Sequence, residues 1–280
     1  MAHLRRVVFC AVTASVYGLP PGYVVVPSCD GCLMHESCVK SVRNGEIVND
    51  SFDVSCGHDM LYPDEQVYAM DAHTDGSVTF TQMNSSWKVP ALPKRRAHQT
   101  VFFWPGFKAQ KPEPGYPVLQ PVLQYGQRPG QTTWELQSWF VWAKRLFPVA
   151  VTGPAIKVSA GDQITSWMDF DQSSQMWTVY ARNEANGQES ILKVTKGKVG
   201  NQDFAYAMHV LETVMPASNY CDQYPPDDQI EFFGISANNG SGVNWIGRTG
   251  KTDCHQQVNV TSKGDDVKFT WQSDDRSFLV

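Results

Sequence analysis

Apolar and polar positions alternate in short runs along most of this chain, and hardly any stretch carries the spacing of an amphipathic helix. Trp177-Thr-Val-Tyr-Ala181 and Glu189-Ser-Ile-Leu-Lys-Val194 flank Asn186-Gly187, a dipeptide suited to the positive φ of a tight hairpin. Asp75-Gly76 predicts a second hairpin, between Tyr68-Ala-Met-Asp71 and Val78-Thr-Phe80. Ala155-Ile-Lys-Val158 and the strand from Gln163 to Phe170 flank the turn Ala160-Gly161-Asp162. Later strands are expected at Ala205 to Val214, Ile230 to Ile235, Gly242 to Ile246, Val258 to Val260 and Val267 to Trp271. Strands and turns at this spacing predict an all-β fold, an antiparallel two-sheet sandwich of lectin-like, jelly-roll type.

Three runs are apolar on both faces. Val101-Phe-Phe-Trp104 is expected to end at Pro105-Gly106. Trp134 to Trp142 puts Trp134, Leu136, Phe140 and Trp142 on one face and Gln137, Trp139 and Val141 on the other, so it is either buried twice or lines a groove. Pro117 to Gly126 carries Gln120 and Gln124 within apolar sequence. Burying an unpaired amide costs roughly 1–3 kcal/mol, so each glutamine belongs either to a core hydrogen-bond network or to a cleft. Gly126 allows close approach of a ligand or another backbone.

Composition narrows the class. The chain holds 9 Trp, 14 Phe and 10 Tyr with only 18% charged residues, which suits a β sandwich better than a helical bundle. A net charge of -5 without a long basic run excludes an electrostatic nucleic-acid binder. Basic residues and a short apolar run before Gly18 predict a cleaved secretory signal over residues 1–18, and no other stretch is apolar enough for a membrane span. The mature chain is therefore expected to be secreted, with no membrane contact.

Removing Cys10 with the signal leaves Cys29, Cys32, Cys38, Cys56, Cys221 and Cys254, an even set suited to an oxidising compartment. Two local disulfides are expected among the first four, with the pairing open and a zinc site as the alternative. Sequons at Asn49, Asn84, Asn239 and Asn259 are glycosylation candidates. Residues 19–96 read as a cysteine-containing module or pro-segment, with a candidate processing site after Arg96, and residues 97–280 as the sandwich. No nucleophile elbow, HExxH, P-loop or dinucleotide fingerprint occurs, and the histidines lack metal spacing, so neither metal nor cofactor is expected.

Residues 101–235 resemble the eqolisins, the secreted glutamic peptidases of fungi. Leu123-Gln-Tyr-Gly126 is similar to their Leu-Gln-x-Gly strand, and Leu136-Gln-Ser-Trp-Phe140 to the aromatic strand after it. The segment Ile156 to Ile164 resembles their Ile-x-Val-x-x-Gly-Asp-x-Ile hairpin, and Asn183 to Gln188 their Asn-x-Thr-x-Gly-Gln turn. The resemblance implies a lectin-like sandwich in which a glutamate activates water and a glutamine amide stabilises the oxyanion. It assigns Gln124 as the oxyanion donor, with Trp104, Gln137 and Trp139 against the substrate. In Tyr206-Ala-Met-His-Val-Leu-Glu212, an ungapped match puts Met208 at the family's catalytic glutamate and Glu212 on the glutamate that follows it. Glu212 is the candidate general base.

The expected function is thus an acid-favouring peptide hydrolase acting on polypeptide. A non-catalytic module binding glycan or peptide is the alternative, and a structural extracellular protein the third reading. The sequence leaves the oligomeric state open.

Overall fold

The computed structural model describes residues 19–29, 32–61, 66–95, 99–110, 115–142, 149–214, 221–238, 240 and 243–274. The expected signal, Arg96 and Asn239 lie outside the described residues. No helix among them is long and apolar enough to cross a membrane.

Two sheets pack face to face. The first has nine described strands. Its order runs Ile246–Thr249, Gln66–His73, Phe204–Val214, Thr100–Ala109, Pro117–Tyr125, Glu135–Trp142, Val149–Thr152 and Val39–Ser41, with Ile156–Lys157 also joined to Glu135–Trp142. The second has eight: Gln257–Val260, Val267–Thr270, Gln229–Ala237, Gln82–Lys88, Gln163–Asp171, Met176–Asn183, Glu189–Thr195 and Ile47–Val48. Alternation drives this arrangement. In Glu189–Thr195 the buried residues are Ser190, Leu192 and Val194, the inward set of a period of two. The core between the sheets is built on Trp87, Phe103, Phe107, Phe140, Phe232 and Phe269.

Several expectations change. Asp75-Gly76 makes a turn, with Asp75 accepting from the Ser77 backbone and hydroxyl. It does not close a hairpin, because Gln66–His73 and Gln82–Lys88 belong to different sheets. Those two strands also correct the boundary at residue 97: each is an inner strand of its sheet, so the sandwich already draws on residues 66–88. Strand Thr100–Ala109 runs through Pro105-Gly106 instead of ending there. Its pairing with Pro117–Tyr125 lapses between Phe103↔Leu123 and Phe107↔Leu119, an interval that holds Pro105 and Pro121. Neither proline has an N–H to donate.

Residues 19–29 and 32–61 form a module on the outer face of the nine-stranded sheet. A second apolar cluster joins Val25, Val26, Leu33 and Met34 of the module to Phe102, Trp104, Val122 and Trp139 of the sheet. Strands Val39–Ser41 and Ile47–Val48 add in parallel to one edge of each sheet. The disulfides pair Cys29 with Cys32, Cys38 with Cys56 and Cys221 with Cys254, which excludes zinc on these cysteines in this oxidised state. The both-faces burial of Glu135–Trp142 now has its cause: the sandwich core covers one side and the module covers the other.

Candidate functional site

Gln120, Gln124, Trp104, Gln137, Trp139, Met208 and Glu212 all point from the outer face of the nine-stranded sheet toward the module. Register sets their spacing. Glu212 pairs with Phe102, and Phe102 with Gln124, so the two residues stand level across two strand spacings, about 10 Å. Phe102 separates them and is fully buried.

Gln124 is 0% exposed and its carboxamide is engaged on every side. Nε2 donates to Gln127 Oε1 at 2.9 Å and to Gln137 Oε1 at 3.1 Å, and Oε1 accepts from Trp139 Nε1 at 3.1 Å. Gln137 Nε2 in turn donates to the Gly153 carbonyl at 2.9 Å. The assignment of Gln124 as oxyanion donor is corrected on this ground: both amide hydrogens are spent on neighbouring side chains. Trp104, Gln137 and Trp139 are likewise covered, at 1%, 7% and 0% exposure, and none lines an open cleft in this state. Gly126, at φ 71°, admits a backbone and not a ligand: a Cβ there would stand 1.9 Å from the Gln99 carbonyl oxygen.

Glu212 is also fully buried. Trp104 Nε1 donates to its Oε2 at 3.0 Å. Gly106 makes that reach possible, since a Cβ there would meet the six-membered ring of Trp104 at 2.9 Å. The Ser28 backbone N–H donates to both carboxylate oxygens, each at 3.0 Å. A buried carboxyl is costly unless hydrogen-bonded, and here the Ser28 N–H is shared between both oxygens while the Trp104 indole N–H serves one of them.

Ser28 also reaches Gln120. Its hydroxyl donates to Gln120 Oε1 at 2.8 Å, while Gln120 Nε2 is buried with no hydrogen-bond partner among the described residues. One residue of the module therefore bridges a carboxylate and a glutamine whose amide hydrogens are unspent. Ser28 adopts a φ of 59°, uncommon for a residue with a Cβ. The short Cys29–Cys32 disulfide follows it, with the Cys32 N–H bonded to the Cys29 carbonyl at 3.0 Å.

Met208, level with Gly106 on the same face, cannot act as base, and its cross-strand neighbour is His73. His73 Nδ1 lies 2.6 Å from Asp71 Oδ1, and Arg248 Nε holds the other oxygen at 2.7 Å. This ion-pair group is at the sheet edge and is separate from Glu212. His209 points the other way, into the sandwich. Ser85 Oγ is 3.1 Å from its Nε2, Nδ1 has no partner among the described residues, and burial pushes its pKa down to about 3. No cluster of metal-binding side chains occurs among the described residues.

Sequence reasoning singled out Gln120 as an amide in apolar sequence without giving it a role, and it missed Ser28. Gln120 carried a signal, as a second amide four residues from Gln124 on the same face. Ser28 carried none, because its role depends on how the module docks.

No family model matches the chain, and no curated protein matches it. Among solved structures it is similar to scytalido-glutamic peptidase with a peptide-based transition-state analogue, at 14% identity and a TM-score of 0.46 over 74% of this chain and 100% of that one. It is also similar to SCP-B, a member of the eqolisin family in complex with the tripeptide Ala-Ile-His, at 14% identity and a TM-score of 0.45 over 74% and 100%. Aspergilloglutamic peptidase from Aspergillus niger matches at 17% identity and a TM-score of 0.41 over 61% and 98%. Likeness at this level carries no conclusion about activity.

Proposed function

We propose that this chain is a secreted β-sandwich peptide hydrolase of the glutamic type, held latent by its own N-terminal module. Glu212 is the general base, Gln120 the oxyanion donor, and Trp104 the residue that orients the carboxylate. The supporting observation is the bridge made by Ser28, whose N–H and hydroxyl occupy Glu212 and Gln120 together. With the module displaced, a water held by Glu212 would attack a peptide carbonyl whose developing oxyanion accepts from Gln120 Nε2. A neutral amide suits that task, because it donates without competing for the proton. Three disulfides accord with an oxidising compartment.

A second reading keeps the sandwich as a non-catalytic module for glycan or peptide. The closed Gln124–Gln127–Gln137–Trp139 network favours it, since a fully paired network rigidifies a core. The two readings separate on denatured polypeptide at about pH 3–5. Ser28→Asp, which sets a second carboxylate against Glu212, is expected to release cleavage, and Glu212→Gln in the same chain to abolish it. Absence of cleavage from a folded Ser28→Asp variant selects the second reading.

A further inference from the structure

Among the described residues, Trp167 is the exposed aromatic on the outer face of the eight-stranded sheet, and Ile47 on the edge strand is its other exposed large apolar residue. Along Gln163–Asp171 the outward residues are Gln163, Thr165, Trp167, Asp169 and Asp171, and Trp167 is 36% exposed. Its indole is fixed in orientation, stacked on Tyr180 with ring centroids 3.4 Å apart and planes 21° from parallel. Tyr180 covers one ring face, and on the side away from Tyr180 the neighbouring residue across the ladder is Asn84. Tyr180 is itself tethered, its hydroxyl donating to Glu189 Oε1.

Directly across from Trp167 stands Asn84, on the neighbouring strand Gln82–Lys88. Opposed side chains on one face of a sheet have Cβ atoms about 4.5–5.5 Å apart. Asn84 begins the sequon Asn84-Ser85-Ser86, and its carboxamide, half-buried, makes no hydrogen bond to any described residue. On its other side the strand Gln229–Ala237 bulges between Phe233 and Ser236, so the ladder beside Asn84 is irregular. The remaining described sequons differ. Asn49 lies in an exposed turn and accepts from Ser51, and Asn259 on a short strand faces Lys268.

We propose that Asn84 carries an N-linked glycan whose first N-acetylglucosamine lies against the face of Trp167 turned away from Tyr180. Transfer forms a bond between Asn84 Nδ2 and C1 of the sugar and breaks the C1–phosphate bond of a lipid-pyrophosphate-linked oligosaccharide. The lipid pyrophosphate leaves and Nδ2 gives up one proton. A pyranose ring fits because it offers an apolar C–H face to the indole and hydroxyls to the surrounding polar side chains. A protein partner would call for a wider apolar patch than one indole among Gln82, Thr165 and Asp169. The site is independent of Gln120 and Glu212, so it stands or falls apart from the hydrolase reading.

The test passes the full chain through the secretory pathway of a eukaryotic host and maps glycopeptides by mass spectrometry. Asn84 is expected to be occupied. After trimming to a single N-acetylglucosamine, the protein is expected to melt about 2–4 °C above Asn84→Gln. That difference should vanish in a Trp167→Ala background, while Trp167→Ala in the Asn84→Gln chain shifts melting little. An unmodified Asn84, or a sugar contribution that survives Trp167→Ala, overturns the proposal. So does binding of free chitobiose to secreted protein with Asn84 unmodified and Trp167 intact, which would give the indole to a foreign glycan.

Discussion

Gln124 and Gln120 are the same residue type on one face of one strand, and their surroundings give them different work. Three side chains share the Gln124 amide, whereas Gln120 spends only its oxygen, on Ser28. Gln124→Ala is therefore expected to act on stability, costing roughly 2–3 kcal/mol in urea unfolding, because it strands buried polar atoms of Gln127, Gln137 and Trp139. Gln120→Ala removes an amide with one unspent end and should cost less than Gln124→Ala. A reversed order would contradict the contrast between them. The sequence revealed that amides were buried in this strand; it could not say which was closed off, since the closing partners come from other strands and from a loop.

At the scale of elements, the strand pattern was legible wherever one face is polar, as along Met176–Asn183 and Glu189–Thr195 with their hairpin at Asn186-Gly187. It misled where the chain changes sheets, because Asp75-Gly76 has hairpin chemistry and the strands beside it diverge. The module is held by the Val39–Ser41 and Ile47–Val48 edge pairings, by apolar packing, and by the Cys38–Cys56 disulfide. That bond closes a sequence separation of 18 residues, for which chain entropy predicts about 3 kcal/mol. Replacing both cysteines by serine is expected to lower hydrogen-exchange protection at Ser28 and along residues 204–214, and to leave Met176–Asn183 unchanged. Uniform loss of protection over both sheets would show that the module is not a separable layer.

For the whole molecule, pH acts through His209. Its folded pKa of about 3 lies below the ordinary imidazole value of 6.5, because the sandwich interior disfavours the charged ring. The unfolded chain takes up the proton first as pH falls, so stability is full above about pH 6.5 and is lost progressively toward pH 3. Between pH 6.5 and 4 that loss is on the order of 3 kcal/mol, at 1.36 kcal/mol per pH unit. Urea unfolding of His209→Phe against the parent should show a smaller decline over this range, and equal declines would remove His209 as the cause. Any assay of cleavage at acid pH should therefore be read on protein shown to be folded at that pH. The resemblance in the sequence drew attention to Gln124 and Glu212, which the structure places on one sheet face, level with each other across Phe102. The cover over that face was invisible, because residues 19–61 show no match to the motifs that carry the resemblance.

The most direct test is the rate of cleavage of denatured polypeptide at pH 4 by folded Ser28→Asp, set beside folded Ser28→Asp/Glu212→Gln. The account predicts cleavage by the first and none by the second, with the unsubstituted chain slow. Equal rates from the two variants, or none from either, would contradict it.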